Sequence, residues 1–302
     1  MARHAAVVFV LTAGCHGNPT FSATQLATPA PSSLTLRAVC EGGVVIGDQG
    51  FIMADAGGAD HGSAWTVIRE AKSGAANLRA ITNDCELIVG DRGTVLYSLE
   101  GSDYKSVPFA DIDLRGTSHS GGGWEDGGIL EFVAGQGGLI AEGLPPSDPL
   151  LTVNTGGGDI AGIATCPDVL AIRAAGGVVT SPDFGKTWHD VSPTLDVLRG
   201  VGCAGDGSVA VGDNGAVVSQ DSLSLKLSVD QADPPSNLTA YDFELAVADD
   251  GNIFYRDVLD IDDVSLVASA GPVRLLGVAN QTEEVYFAVG ENGAVFKITV
   301  TR

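Results

Sequence analysis

The stretch Val209-Ala210-Val211-Gly212-Asp213-Asn214-Gly215-Ala216-Val217-Val218 is two short β-branched runs joined at an Asp-Asn-Gly turn, a pattern that specifies a tight hairpin. It is one copy of a repeat. A turn glycine recurs at Gly50, Gly93, Gly137, Gly176, Gly215, Gly251 and Gly293, with successive gaps of 43, 44, 39, 39, 36 and 42 residues. Strand-only units at this period close most simply as an all-β fold, a seven-bladed β-propeller with mostly four-stranded antiparallel blades, because radial repetition leaves only short sheet edges.

Each copy opens with a related phrase, which marks the innermost strand of a blade: LRAVC from Leu36, LRAIT from Leu78, LRGTS from Leu114, IAGIATC from Ile160, LRGVGC from Leu198, LTAY from Leu238 and RLLGVA from Arg274. Arginine sits at the start of five of them, as Arg37, Arg79, Arg115, Arg199 and Arg274. Equivalent positions in a radial repeat form a ring, so these guanidiniums gather at one mouth of the central channel. Two uses compete there. The ring recognises an anion, or it staples the blades by pairing with the turn carboxylates Asp48, Asp91, Asp213, Asp249 and Glu291, which share that face; networks of this kind commonly serve structure.

Cys40, Cys85, Cys166 and Cys203 fall in the first-to-second-strand connections of blades one, two, four and five, on the opposite face. Four cysteines allow three pairings, and the closeness of neighbouring blades near the axis favours Cys40 with Cys85 and Cys166 with Cys203. A four-cysteine metal site would need all of them together, which separated blades oppose.

Acidic residues outnumber basic ones 38 to 16, giving a formal net charge of -22 that opposes nucleic acid and anionic lipid surfaces as partners. The 41 glycines fit a fold with several tight turns per blade. Residues 1–14 read as a lipoprotein-type signal peptide: Arg3 supplies charge, Ala5 to Leu11 an apolar core, and Leu11-Thr12-Ala13-Gly14-Cys15 resembles a bacterial lipobox with its leucine one position further upstream than usual. Lipidation of Cys15 leaves an even four of the five cysteines for disulfides, in keeping with export. Residues 15–35, rich in Pro, Ser, Thr and Ala, read as a tether; within them Thr20 to Leu26 also alternates as a strand does and offers itself as the closing strand of the last blade. Residues 36–302 form the propeller.

Blade four carries a complete Asp-box, Ser181-Pro182-Asp183-Phe184-Gly185-Lys186-Thr187-Trp188, in which Asp183 accepts from turn N–H groups, Gly185 makes the turn and Trp188 packs between sheets. Blade one keeps a degraded form, Asp60 to Trp65 with Gly62. The LRxV phrase, the VGDxG turn and the Asp-box together resemble the photosystem II assembly-factor type of β-propeller, over Leu36 to Arg302. That resemblance implies a seven-bladed, non-catalytic assembly or interaction platform whose arginine-rich patch binds a partner. Asp-boxes eroded in six blades and an aromatic content of 6% depart from the family pattern and weaken a photosynthetic role.

The remaining candidates are weaker. Trp124, on the glycine-rich loop His119 to Gly128, either binds a sugar or peptide or folds back onto the core. Asp257, Asp260, Asp262 and Asp263 lack the order of a calcium loop and read as a solvated turn. No metal set and no cofactor site is assigned. The enzyme alternative is an Asp-box glycoside hydrolase of the sialidase kind or a glycan-binding propeller. A sialidase needs a tyrosine with a glutamate partner beside an arginine triad, and none of Tyr97, Tyr104, Tyr241, Tyr255 and Tyr286 has such a partner by motif; His4, His16, His61, His119 and His189 are scattered. The reading is an exported, lipid-anchored propeller that presents one loop face to a protein or glycan of the bacterial envelope, touching the membrane only through its N-terminal lipid.

Overall fold

Leu36, Leu78, Leu114, Ile160, Leu198, Leu238 and Leu275 begin the seven inner strands, and every one is buried. The computed structural model describes residues 19–120, 130–143, 150–166, 168–191, 197–204, 207–221, 227–256 and 264–302. Among them the strands form seven four-stranded antiparallel sheets. Blade one contains Leu36–Val39, Val44–Gly47, Ile52–Asp55 and Trp65–Arg69, and five more blades follow in simple chain order. The seventh is made of Leu275–Thr282, Val285–Gly290 and Val295–Thr301, and its fourth strand is Thr20–Gln25 from the start of the chain. Thr20 faces Thr301 and Gln25 faces Phe296, so the ring closes by hydrogen bonds between its two ends. Phe21 and Ala23 are the buried residues of that closing strand, and Phe21 packs 5.1 Å from Tyr255 of blade six.

The core lies between blades. Leu245, Val247 and Ile253 of blade six meet Tyr286, Ala288 and Ile298 of blade seven, while Val44, Ile46 and Ile52 of blade one meet Ile81, Ile88 and Leu96 of blade two. Each sheet is therefore apolar on both faces, which is why the second strands read as unbroken apolar runs.

A β-bulge follows the first residue of every inner strand, at Arg37, Arg79, Arg115, Ala161, Arg199, Thr239 and Leu276. The extra residue bends the strand and re-aims its side chain toward the axis. The next residue is always small: Ala38, Ala80, Gly116, Gly162, Gly200, Ala240 or Gly277. A Cβ on Gly200 would stand 2.7 Å from the Cα of Ala240, and one on Gly277 would stand 2.9 Å from the Cα of Ala38. The Leu-Arg-small phrase thus encodes a buried anchor, a bulge and a close approach between inner strands.

Blade seven differs from the expected register. Leu275 pairs with Gly290 as Leu36 pairs with Gly47, so Arg274 precedes the bulge by two positions while Leu276 occupies it. In blade three the turn spans Gln136–Gly138, which makes Gly138 rather than Gly137 the equivalent of Gly50. These turns carry two successive left-handed residues, the first being Gln49, Arg92, Gly137, Asn214 or Asn292 and the second always glycine.

The Ser181–Trp188 segment of blade four, read above as an Asp-box, is closed by hydrogen bonds among its own residues. Asp183 Oδ1 accepts from the Thr187 N–H at 2.7 Å, its Oδ2 from Thr187 Oγ1 at 2.7 Å, and Trp188 Nε1 donates to the Gly185 carbonyl at 3.0 Å. Ser181 Oγ accepts from the Gly185 N–H at 2.6 Å, and Trp188 packs on the core between blades three and four. In blade one Asp55 takes the part of Ser181, accepting from the N–H groups of Gly57 at 2.9 Å and Gly62 at 3.0 Å. Asp55 stands at the end of the third strand, where blade four has Ser181.

Cys40 is joined to Cys85 and Cys166 to Cys203, linking blades one to two and four to five at the end remote from the turns. Cys15, Trp124 and the blade-six aspartates Asp257, Asp260, Asp262 and Asp263 lie outside the described residues.

Candidate functional site

The bulges decide what the turn-side mouth looks like. Arg37, Arg79, Arg115, Arg199 and Arg274 all line one cavity of about 360 Å³ there, with Asp91, Asp113 and Thr239. Below it the channel continues between the inner strands, walled by Ala38, Ala80, Gly116, Gly162, Gly200 and Gly277. Arg274 reaches the mouth despite its different register, and Ala161 leaves a gap in the ring at blade four.

Each of the five arginines also has a carboxylate. Arg37 Nε lies 2.5 Å from Asp48, Arg79 binds Asp91 through Nε at 2.7 Å and Nη2 at 3.0 Å, and Arg199 pairs through Nε with Asp213. Arg274 is 3.7 Å from Glu291. Two pairs depart from expectation. The blade-three turn carries Gln136 in place of an acid, so Arg115 takes Asp159 at 3.1 Å, and Asp249 accepts from Asn237 Nδ2 at 3.1 Å instead of from an arginine. For Asp91, burial raises the pKa, yet the hydrogen bond from Arg79 wins and holds the carboxyl below its usual range. Pairing through Nε leaves the terminal nitrogens of Arg37 and Arg199 without a hydrogen bond to any described residue. With side chains 25–42% exposed, such pairs contribute about 0.2–1 kcal/mol each, so they orient the guanidiniums more than they hold the fold.

The other end of blades two and three carries a cluster that sequence reasoning did not bring together. His119 belongs to the inner strand Leu114–Ser120 and faces Glu131 directly across the hairpin. Its Nδ1 lies 2.8 Å from Asp84 Oδ2 of blade two and 3.1 Å from Glu131 Oε1. The hydrogen bond to Asp84, then that to Glu131, pushes the imidazole pKa up to about 10. Burial raises the Glu131 pKa. Nearby, Tyr97 Oη donates to Glu86 Oε2 at 3.2 Å, a tyrosine–glutamate pair that no motif announced. It stands at the far end of its blade from the arginine mouth, so the arginines and this pair do not share one site. The cross-strand spacing of His119 and Glu131 was the signal available; the contribution of Asp84 required knowing which turns adjoin.

No family model and no curated protein matches the chain. Many solved structures do. One described as YCF48 bound to D1 peptide superposes with a TM-score of 0.69 at 14% identity, covering 93% of this chain and 95% of that one. YCF48 from Cyanidioschyzon merolae gives 0.66 at 11% identity over 92% and 98%, and the Pan2 WD40 domain of Neurospora crassa gives 0.69 at 14% identity over 92% and 95%. The class is therefore fixed: this is a seven-bladed β-propeller, closed by its N-terminal strand.

Proposed function

We propose that this propeller is an exported, lipid-anchored interaction platform that docks an acidic segment of a partner protein at its arginine mouth. The observation that carries the reading is the convergence of five guanidiniums on one cavity in a chain of net charge -22. Their carboxylate partners set side-chain direction, and the terminal nitrogens of Arg37 and Arg199 keep donors for an incoming carboxylate. A likeness in fold to a propeller described as bound to a peptide, and to chains of a mitotic checkpoint complex, supports a protein as the ligand. Two disulfides fit an oxidising compartment, and the lipobox-like Leu11 to Cys15, a few residues ahead of the closing strand Thr20–Gln25 that takes up part of the stretch read as a tether, supports a surface anchor. The resemblance to photosystem II assembly factors contributes the platform role without a photosynthetic partner.

Affinity capture from the native envelope tests this, with wild type beside an Arg79→Ala/Arg199→Ala form and co-purifying proteins identified by mass spectrometry. A partner held by the first and lost by a folded second is the expected outcome. Identical sets from both remove the mouth as the docking site.

A further inference from the structure

We propose that Asp84, His119 and Glu131 bind one divalent cation of the zinc type at the disulfide-side end of blades two and three. One oxygen or nitrogen from each residue lies within 4.8 Å of the other two. The Nδ1 to Oδ2 and Nδ1 to Oε1 separations of 2.8 and 3.1 Å are a few tenths short of the roughly 3.4 Å edge of a tetrahedron with ~2.1 Å metal bonds. Small side-chain shifts, with the Nδ1 proton released to water as the metal takes its place, open that set around an ion.

A second observation points to a ligand. Glu131 has a side chain only 3% exposed, and its Oε2 is buried without a hydrogen-bond partner. His119 satisfies Oε1, but a buried carboxylate oxygen with no donor is costly for a protein alone, and a bound cation supplies the missing partner. The surrounding charge agrees. Glu41 feels Asp84, and Glu131 feels both Asp84 and Glu86, while no lysine or arginine pairs with any of these four carboxylates among the described residues. His119 also lines the central channel, and the side chains of Asp84 and His119 remain 27% and 21% exposed, so an ion has a path from water.

One imidazole and two carboxylates suit zinc and its neighbours better than the all-oxygen preference of magnesium or calcium, or the soft sulfur preference of copper(I). Ligands from two blades give the ion a structural consequence as well. The described disulfides join blades one to two and four to five, and this site would clamp the junction between two and three.

The test uses the untagged full chain, stripped with chelator and equilibrated with micromolar zinc chloride. Elemental analysis and calorimetry are expected to find one zinc per chain, with Asp84→Asn and His119→Ala each weakening the affinity by roughly tenfold or more. Cobalt(II) in the same site is expected to give a visible d–d band that the variants lose. If His119→Ala does not fold, Asp84→Asn, altered at a partly exposed side chain, decides alone. Failure of the wild type to hold stoichiometric zinc, or a folded Asp84→Asn that binds zinc as tightly as the wild type, overturns the assignment.

Discussion

Reducing the two disulfides should cost this propeller much of its margin of stability, and the size follows from where the bridges sit. Cys40–Cys85 spans 45 residues and Cys166–Cys203 spans 37. In the chain-entropy description each closes an unfolded-state loop worth about 4 kcal/mol at 25 °C. Reduction leaves the sulfur atoms in place, so packing by the buried Cys40 and Cys85 and the Gly42 N–H contact to Cys85 Sγ survive. The loss isolates the cross-link. For 302 residues at ~2 cal/mol/K of unfolding entropy per residue, one bridge corresponds to about 6 °C in melting temperature. Scanning calorimetry of oxidised and reduced wild type, beside Cys166→Ala/Cys203→Ala, reads both bridges in turn. A melting temperature that moves by less than about 1 °C after complete reduction, verified by thiol labelling, would refute the entropic argument for these loops.

Four further outcomes are expected. Burial first, then the charge of Glu41, raises the Asp242 pKa to about 7 although the Asn280 N–H donates to it at 2.7 Å. Because the folded value exceeds the unfolded one, the stability this acid allows is present below pH ~4 and lost as pH rises through 7, by at most ~4 kcal/mol; Asp242→Asn should match wild type at pH 4 and exceed it at pH 8 in urea titrations. Gly90→Ala would put a Cβ 2.3 Å from the Asn77 carbonyl oxygen and should destabilise by about 2 kcal/mol or more, whereas Gly137→Asn, where nothing lies within 4 Å and asparagine stands in two sister turns, should stay within ~0.5 kcal/mol of wild type. Phe21→Ala should cost about 3 kcal/mol of unfolding free energy by hollowing the closing strand's contact with blade six, and a loss under about 1 kcal/mol would argue against closure by that strand. Arg79→Ala should cost no more than about 1 kcal/mol, measured the same way, and so leave a folded protein for binding assays.

The fold was legible because its determinants are local and repeated. A Leu-Arg-small phrase and a carboxylate-x-Gly turn need only a bulge and two left-handed residues to work, and both recur often enough to count blades. Register was less legible where neighbours blur it: Gly137-Gly138 gives two candidate turn glycines, and Arg274-Leu275-Leu276 offers two leucines for one anchor. The part of Asp55 was hidden because an insertion separates it from Gly62, and only the hydrogen bonds show that it closes that loop as Ser181 does in blade four. Radial symmetry alone could place Arg37, Arg79, Arg115 and Arg199 at the mouth, but not Arg274, which lies two positions before its bulge. Asp84, His119 and Glu131 could not, since they come from non-equivalent positions of two blades and meet through side-chain reach.

The proposed docking of a partner at the arginine mouth is tested most directly by covalent footprinting with phenylglyoxal, comparing labelling of Arg79 and Arg199 in intact source cells with that in the purified protein. Both side chains are about one-third exposed and open to reagent in the free chain. Labelling that slows severalfold in cells at both, while Arg302, which follows the last strand of blade seven, reacts equally in the two settings, is the predicted result. Equal labelling of Arg79 and Arg199 in cells and in solution would contradict it.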